Sequence, residues 1–448
     1  MHVVYVIDSV ARGGGAEQAL VEMAPLLVEG GVRLDVVHLR DVPGFQPQLR
    51  AAGARVFGLP ATARAGRVAR LRGLLRELRP DLVHTTLFEA DVAGRTAAAL
   101  AGVPVVSSLV NSAYGPEHRS APGLRPWRVR AAQALDAATA RRVVRFHALT
   151  RHVAVSMAAR LRLDPARIEV VPRGRAPERL GDALADDPAA RSRRARVRAG
   201  LGLPGDVPVV LAAARHQHQK GLDVLLRAWG VVVARRPDAV LLVAGPAGAQ
   251  TPLLRRLAAA LPDGTVRLLG AREDVPELMG AAEAFVAPSR WEGLGSAAME
   301  ALGVGVPLVV SDVPALRETV GSERHALLVP PESSWRLAEA LLASLEDRSA
   351  ALRRARAGRE HFLAHFTLER VTRRMVELYA RALAEAGGPG GRSGGGRLGP
   401  YPGGGWGRPG AESTGVSPPW GRAGLDRWVA SRRPAGQAFD RVRIPSPR

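Results

Sequence analysis

Apolar residues gather along the chain into short β-rich runs, and between them lie longer stretches whose apolar positions repeat at helical spacing. The first series of strand-like runs reads Val3–Ile7, Leu34–Leu39, Arg55–Leu59, Asp81–His84, Val103–Leu109 and Ile168–Val171. Helices are expected between them over Ala16–Glu29, Arg67–Leu78 and Asp91–Leu100. The alternation then restarts with Val207–Ala213, Ala239–Ala244, Val266–Leu268, Ala284–Ala287, Pro307–Val310 and Ala326–Val329. Repeated strand–helix units predict parallel sheets covered on both faces, so the fold class is α/β. Two series predict two Rossmann-like domains, with ligands beyond the carboxyl ends of the strands and in the cleft between the domains.

The expected organisation is an N-terminal Rossmann-like domain over 1–176, a connection over 177–206 rich in Pro, Asp and Arg, a second such domain over 207–366, and a last helix over 367–386. Beyond it, 387–448 holds 17 Gly and 9 Pro in 62 residues and shows neither period. Such a composition cannot bury a core and reads as a disordered tail.

Composition narrows the chemistry. The 448 residues contain no cysteine, which excludes disulfides, thiolate metal sites and a cysteine nucleophile. The net charge of +21 points to an anionic partner, but seven of those charges belong to the tail, which weakens a nucleic-acid reading. Arg supplies 62 of the 63 basic residues, a bias that GC-rich coding explains, and Lys220 is the sole lysine. Ammonium and guanidinium are not interchangeable at every site, so its position matters. The apolar run His2–Ile7 stops at Asp8, too short for a signal core, and no run of about 18 apolar residues occurs, so a cytoplasmic protein is expected.

Lys220 falls at a strand end. After Val207–Ala213 comes the loop Arg215 to Gly221, and then a helix from Leu222. Two cations on a loop entering a helix N-terminus suit a diphosphate; the alternative is two solvated side chains. After Ala284–Ala287, the run Trp291-Glu292-Gly293-Leu294-Gly295-Ser296-Ala297 makes a glycine-flanked turn into a helix that carries Glu300. Backbone amides in such a turn can approach an anion closely, and a carboxylate two helical turns on suits vicinal ribose hydroxyls. Read singly, each acid could instead complement a helix dipole or lie on the surface.

Together these residues resemble the Glu-x7-Glu signature of retaining GT-B glycosyltransferases, specifically glycosyltransferase family 4, and the likeness runs over 1–385. It includes Gly13-Gly14-Gly15-Ala16-Glu17, Asp81-Leu82-Val83-His84, Arg215 with Lys220-Gly221, Leu269 to Val275 and Pro307 to Asp312. The resemblance implies an acceptor-binding N-terminal domain and a nucleotide-sugar-binding C-terminal domain. It implies that Arg215 and Lys220 grip the donor diphosphate and that Glu292 faces the donor sugar. The amides of Gly293, Leu294, Gly295, Ser296 and Ala297 would surround sugar and phosphate, Glu300 would hold the ribose, and the backbone near Arg272 would border the base. Gly14 and Gly15 would approach from the other domain. No cofactor and no metal are implied, the nucleotide-sugar being a substrate with UDP the expected nucleotide. No two Asp stand two apart, as the metal-dependent alternative fold requires.

Two departures stand out. Many relatives place a His after the strand that here is Val103–Leu109, where this chain reads Val110-Asn111-Ser112. The common Pro-Asn-Gly reads Pro172-Arg173-Gly174. His84, Glu89 and Asn111 are expected near the acceptor cleft, with a satisfied structural role as the alternative for His84 and Glu89, and the acceptor itself is unidentified. The basic stretches Arg64–Arg79 and Arg125–Arg145, the latter with Trp127 and Val129, read either as core helices with solvated faces or as peripheral contact with anionic membrane at the inner face of the cell membrane. Rival readings are a GT-B sugar-nucleotide epimerase or phosphorylase and, in another class, a basic nucleic-acid-binding protein; nucleic acid is not an expected partner.

Overall fold

Strand β1 (His2–Ile7) alternates its side chains between two apolar layers. Val3, Tyr5 and Ile7 join one buried cluster and Val4 and Val6 the other. Strand β8 (Val209–Ala213) does the same, with Val209 and Leu211 on one side and Val210 and Ala212 on the opposite side. A strand buried on both faces belongs at the centre of a parallel sheet. Both take that place in the computed structural model, which describes residues 1–59, 63–116, 125–204 and 207–387.

The first sheet runs in the order β3 (Arg55–Gly58), β2 (Arg33–His38), β1, β4 (Leu82–Thr86), β5 (Val105–Leu109), β6 (Arg145–Ala148) and β7 (Ile168–Val170). The second runs β10 (Val266–Gly270), β9 (Val240–Ala244), β8, β11 (Ala284–Ala287), β12 (Leu308–Ser311) and β13 (Leu327–Val329). Every strand pairing within them is parallel. The strand order reverses between β1 and β4 and between β8 and β11, so each sheet opens a crevice at its centre. Each sheet is the centre of a Rossmann-like domain, two of them as the hydrophobic pattern predicts, which is the GT-B arrangement that the family resemblance implies.

A strand and a helix stand out among the elements that the sequence reading does not name. Strand β6 lies at the end of the stretch read as a basic segment. Its four residues offer only Phe146 and Ala148 as apolar partners, yet both are buried, and the polar His147 between them is buried as well. The stretch 177–206 is also more than a connection. A helix, Pro188–Gly200, begins on Asp187, whose carboxylate accepts from the Ala190 amide at 2.8 Å. It docks on the second domain, where Arg198 donates to the Ala281 carbonyl and Arg194 to the Gly280 carbonyl.

The final helix, Leu368–Ala386, crosses back to the first domain. Val371, Met375, Leu378 and Tyr379 join Tyr5 and Leu82 in one buried cluster. Where it leaves the second domain, Thr367 pairs in parallel with Arg175, the Arg175 amide donating to Phe366 and the Leu368 amide to Arg175, both at 3.0 Å. The two crossings between the domains thus run side by side as a short ribbon. The proposed tail falls outside the described residues from 388 onward. Among the described residues no helix is long and apolar enough to cross a membrane. In the basic segments, Leu71 and Leu75 are buried, as are Val129 and Asp136, whereas Trp127 is 61% exposed.

Candidate functional site

The carboxyl ends of the two sheets face each other. The turn after β11 touches the first domain closely: Thr150 Oγ1 donates to the Gly293 carbonyl at 2.9 Å, and a Cβ on Gly293 would lie 2.0 Å from the Val110 carbonyl oxygen. The amides of Arg151 and His152 donate to Glu318 at 2.7 and 3.1 Å, and Arg12 pairs with Glu273 at 3.0 Å.

Two loops of the second domain build the floor. Gly221 takes φ +63° and lies so close to Pro288 that a Cβ would meet its carbonyl oxygen at 2.0 Å, so only glycine fits where the loops cross. The Arg290 amide donates to Gln219, Gln219 Nε2 donates to Trp291, and the Arg290 guanidinium holds Asp223 through two nitrogens. This lacing brings Lys220 Nζ to 2.5 Å from Glu292 Oε1, which also accepts from Ser289 Oγ at 2.8 Å. Arg215 is exposed at the mouth of the same loop and has no carboxylate partner among the described residues. His216 of that loop is buried against Thr251, and the His218 ring lies 6.1 Å from that of Trp291.

Gly295, at φ +82°, caps the Ser296–Val304 helix without a side-chain hydrogen bond, and Gly14 caps Gly15–Glu29 in the same bare way. First-turn amides of both helices are therefore left for other acceptors. Leu294 is buried beneath the turn, and Ser296 and Ala297 are half-buried. Across it, Arg173 Nη1 donates to Ser296 Oγ at 3.2 Å and lies against Gly15. Arg272, on the loop after β10, is forked on Asp274.

Glu300 is not alone in its pocket. Arg175 Nε and Nη2 both lie 2.7 Å from its Oε1, and Arg175 Nη1 stands 3.2 Å from Glu22 Oε2 of the first domain. Desolvation works against the Arg175 charge, but Glu300 and Glu22 overcome it and hold its pKa above the ordinary value. Glu300 Oε2 has no partner among the described residues.

Three acceptor candidates fare differently. Asn111 lies against the Gly293 turn, its Oδ1 accepting from the Ser112 amide. Glu89 is taken up by the Arg64 fork and lies 3.7 Å from Arg67. His84 takes the structural alternative, a correction to its place among the acceptor candidates: it lies beneath the cleft, fully buried, with Nδ1 2.6 Å from the Tyr379 hydroxyl and Nε2 2.7 Å from Ser108 Oγ. Ser108 continues to His147 Nδ1, and His147 Nε2 reaches the Val171 carbonyl. That carbonyl can only accept, so Nε2 of His147 carries the proton and every later role follows. Ser108 donates to His147, His84 donates to Ser108, and Tyr379 donates to His84. Burial pushes the His84 pKa well below the usual value and that of His147 down to about 4, so both rings stay neutral.

Comparison with known proteins identifies the family. Residues 14–174 match the glycosyl transferase 4-like domain, and 193–361 match glycosyl transferases group 1. The 2-deoxystreptamine N-acetyl-D-glucosaminyltransferase of Streptomyces fradiae is 31% identical over 408 residues, spanning 84% of this chain and 93% of that protein. The chain belongs to the GT-B glycosyltransferases of the family 4 type. D-inositol 3-phosphate glycosyltransferase 1 of Catenulispora acidiphila is likewise 31% identical, over 83% of this glycosyltransferase and 91% of that protein. The likeness to the lipopolysaccharide core mannosyltransferase LpsB of Rhizobium meliloti, 30% identical, spans 42% of this chain and 55% of that one. The fold is shared with Anabaena HepE in complex with UDP-glucose, at TM-score 0.72 and 20% identity over 85% of this chain and 99% of that one. This glycosyltransferase takes a nucleotide-sugar donor.

Sequence reasoning missed Arg175, Glu22 and Ser289, and it noted Arg173 only as a departure. The signal available was the pair of arginines flanking Gly174 just past the last strand of the first domain.

Proposed function

We propose that the enzyme is a retaining, metal-independent hexosyltransferase using a UDP-linked donor. The observation that carries this reading is the Lys220–Glu292 contact at the crossing of two loops, beside the bare N-terminus of the Ser296–Val304 helix. When the bond from the anomeric carbon to the diphosphate breaks, its electron pair goes to the phosphate oxygen. Lys220, Arg215 and the first-turn amides lie where that charge develops, and fixed positive charge there lowers the barrier without a divalent ion. The acceptor hydroxyl oxygen bonds the same carbon on the face the diphosphate leaves, and its proton passes to the departing phosphate oxygen. Glu292 faces the sugar, and Glu300 holds the ribose through the oxygen that Arg175 leaves open. Retention rests on the resemblance of Glu292 and Glu300 to the family signature, and UDP on the ligands of HepE. Two relatives reported above, each matching more than four-fifths of the chain, are named for cyclitols, which favours a polyhydroxylated small-molecule acceptor.

The test is transfer from UDP-glucose and UDP-N-acetylglucosamine to 2-deoxystreptamine and inositol phosphate, with the product anomer read by NMR. An α-linked product supports retention, a β-linked one overturns it, and an isomerised donor formed without acceptor restores the epimerase reading. Peripheral attachment through exposed Trp127 and neighbouring Arg128 is tested by flotation, where equal binding to anionic and neutral vesicles removes it.

A further inference from the structure

We propose that Arg173 is a third cationic ligand of the donor diphosphate, placed at the seam where two helix N-termini from opposite domains meet. The inference rests on the donor-site reading above and assigns to it a residue that the motif does not supply. Where the family's turn carries an amide side chain, this chain carries a guanidinium.

The geometry is specific. Arg173 Nη1 donates to Ser296 Oγ, the first residue of the Ser296–Val304 helix. The same nitrogen packs over Gly15, the first residue of the Gly15–Glu29 helix, so closely that a Cβ there would lie 2.5 Å away. Neither helix has a side-chain cap, and each directs unsatisfied amides toward the seam.

Three neighbouring cations contrast with it, while Arg215 shares its lack of a carboxylate partner among the described residues. Arg175 is committed to Glu22 and Glu300, Lys220 to Glu292, and Arg290 to Asp223 and Glu332. Arg173 has no carboxylate within ion-pair distance among the described residues. It is half-buried, and desolvation followed by the like charge of Arg175 pulls its pKa down to about 10, with Tyr5, Glu17 and Glu292 acting in the opposite sense. A guanidinium withdrawn from water without a counter-ion costs free energy that an incoming anion offsets. Its fork can hold two phosphate oxygens at once, which suits a diphosphate lying between Gly15 and Ser296.

The test compares wild type, Arg173→Asn and Arg173→Lys by isothermal titration with UDP, GDP and ADP. For the diphosphate that wild type binds, the monophosphate and the nucleoside follow. Arg173→Asn is expected to lower diphosphate affinity by roughly 10- to 100-fold, the size of a lost charge-assisted hydrogen bond, and to leave nucleoside affinity unchanged. Arg173→Lys recovers part of the diphosphate affinity. Diphosphate affinity of Arg173→Asn within about twofold of wild type overturns the proposal and leaves the donor site standing. Wild type binding none of the three diphosphates overturns the donor-site reading and Arg173 with it. If Arg173→Asn does not fold, Arg173→Lys decides: a diphosphate-to-nucleoside affinity ratio equal to that of wild type overturns the assignment, and a several-fold drop supports it.

Discussion

Arg175 meets Glu300 with two nitrogens on a single carboxylate oxygen, both at 2.7 Å from Oε1, and so leaves the other oxygen open. The same guanidinium reaches Glu22 in the facing domain. A residue of the inter-domain ribbon therefore orients the carboxylate assigned to the ribose.

Removing that guanidinium strands two acids. Arg175→Ala should cost about 3–5 kcal/mol of stability, because breaking a buried pair leaves uncompensated charge. Burial already raises the Glu22 pKa, and Arg175 opposes the rise. An acid whose folded pKa lies above its unfolded one destabilises when ionised, so the penalty should be largest at neutral pH and shrink as pH falls through the folded pKa. Urea titrations of both proteins at pH 7.5 and 5.5 check this; an equal loss at both values contradicts it.

Lys220 has a different part. Lys220→Ala should lower kcat on the order of 100- to 1000-fold, as loss of a charge aimed at a developing anion does. Arg at this position should not restore the rate, since its planar fork cannot reproduce a compact ammonium against Glu292. Single-turnover kinetics with the unfolding midpoint measured alongside separates lost chemistry from lost fold.

At Gly293 the domains come close enough to exclude a methyl group. Gly293→Ala must push the turn away from the Val110 carbonyl or open the cleft. The radius of gyration from X-ray scattering should increase, and activity should fall by more than tenfold, the order expected when reacting groups are held about 1 Å out of place. Unchanged values of both refute the close approach as a requirement.

The chain through His84 and His147 makes stability depend on pH. Both rings are neutral when folded and carry pKa values below the unfolded value, so the unfolded state binds more protons in acid. Stability should be complete above about pH 6.5 and decline as pH falls toward 4, by about 3 kcal/mol for His147. Denaturation midpoints from pH 7.5 to 4.5 test the slope, and His147→Gln should flatten it.

The sequence alone led to both sheets because strands such as β1 and β8 are apolar on both faces and separated by helical periods. Strand β6 was illegible since its burial comes from neighbours on either side, not from its own four residues. The Lys220 loop and the Glu292 turn could be read from local residue order. The Arg175–Glu300 and Arg173–Ser296 contacts could not, because 125 and 123 residues separate the partners and only the packing of two domains joins them. The choice between the two readings of His84 was illegible for the same reason: its partner Tyr379 lies 295 residues away on a helix whose return path no local pattern specifies.

The paired crossings at Arg175 and Thr367 restrict how the halves can move. Two chain segments bonded in parallel resist being sheared or pulled apart, and twisting along their shared axis is the softest motion left to them. Cleft opening in this enzyme should therefore resemble a door on one short hinge-pin, with a single angle as its coordinate. Because Arg175 sits on that pin and grips Glu300, turning the door and aiming the carboxylate proposed for the ribose become one mechanical act.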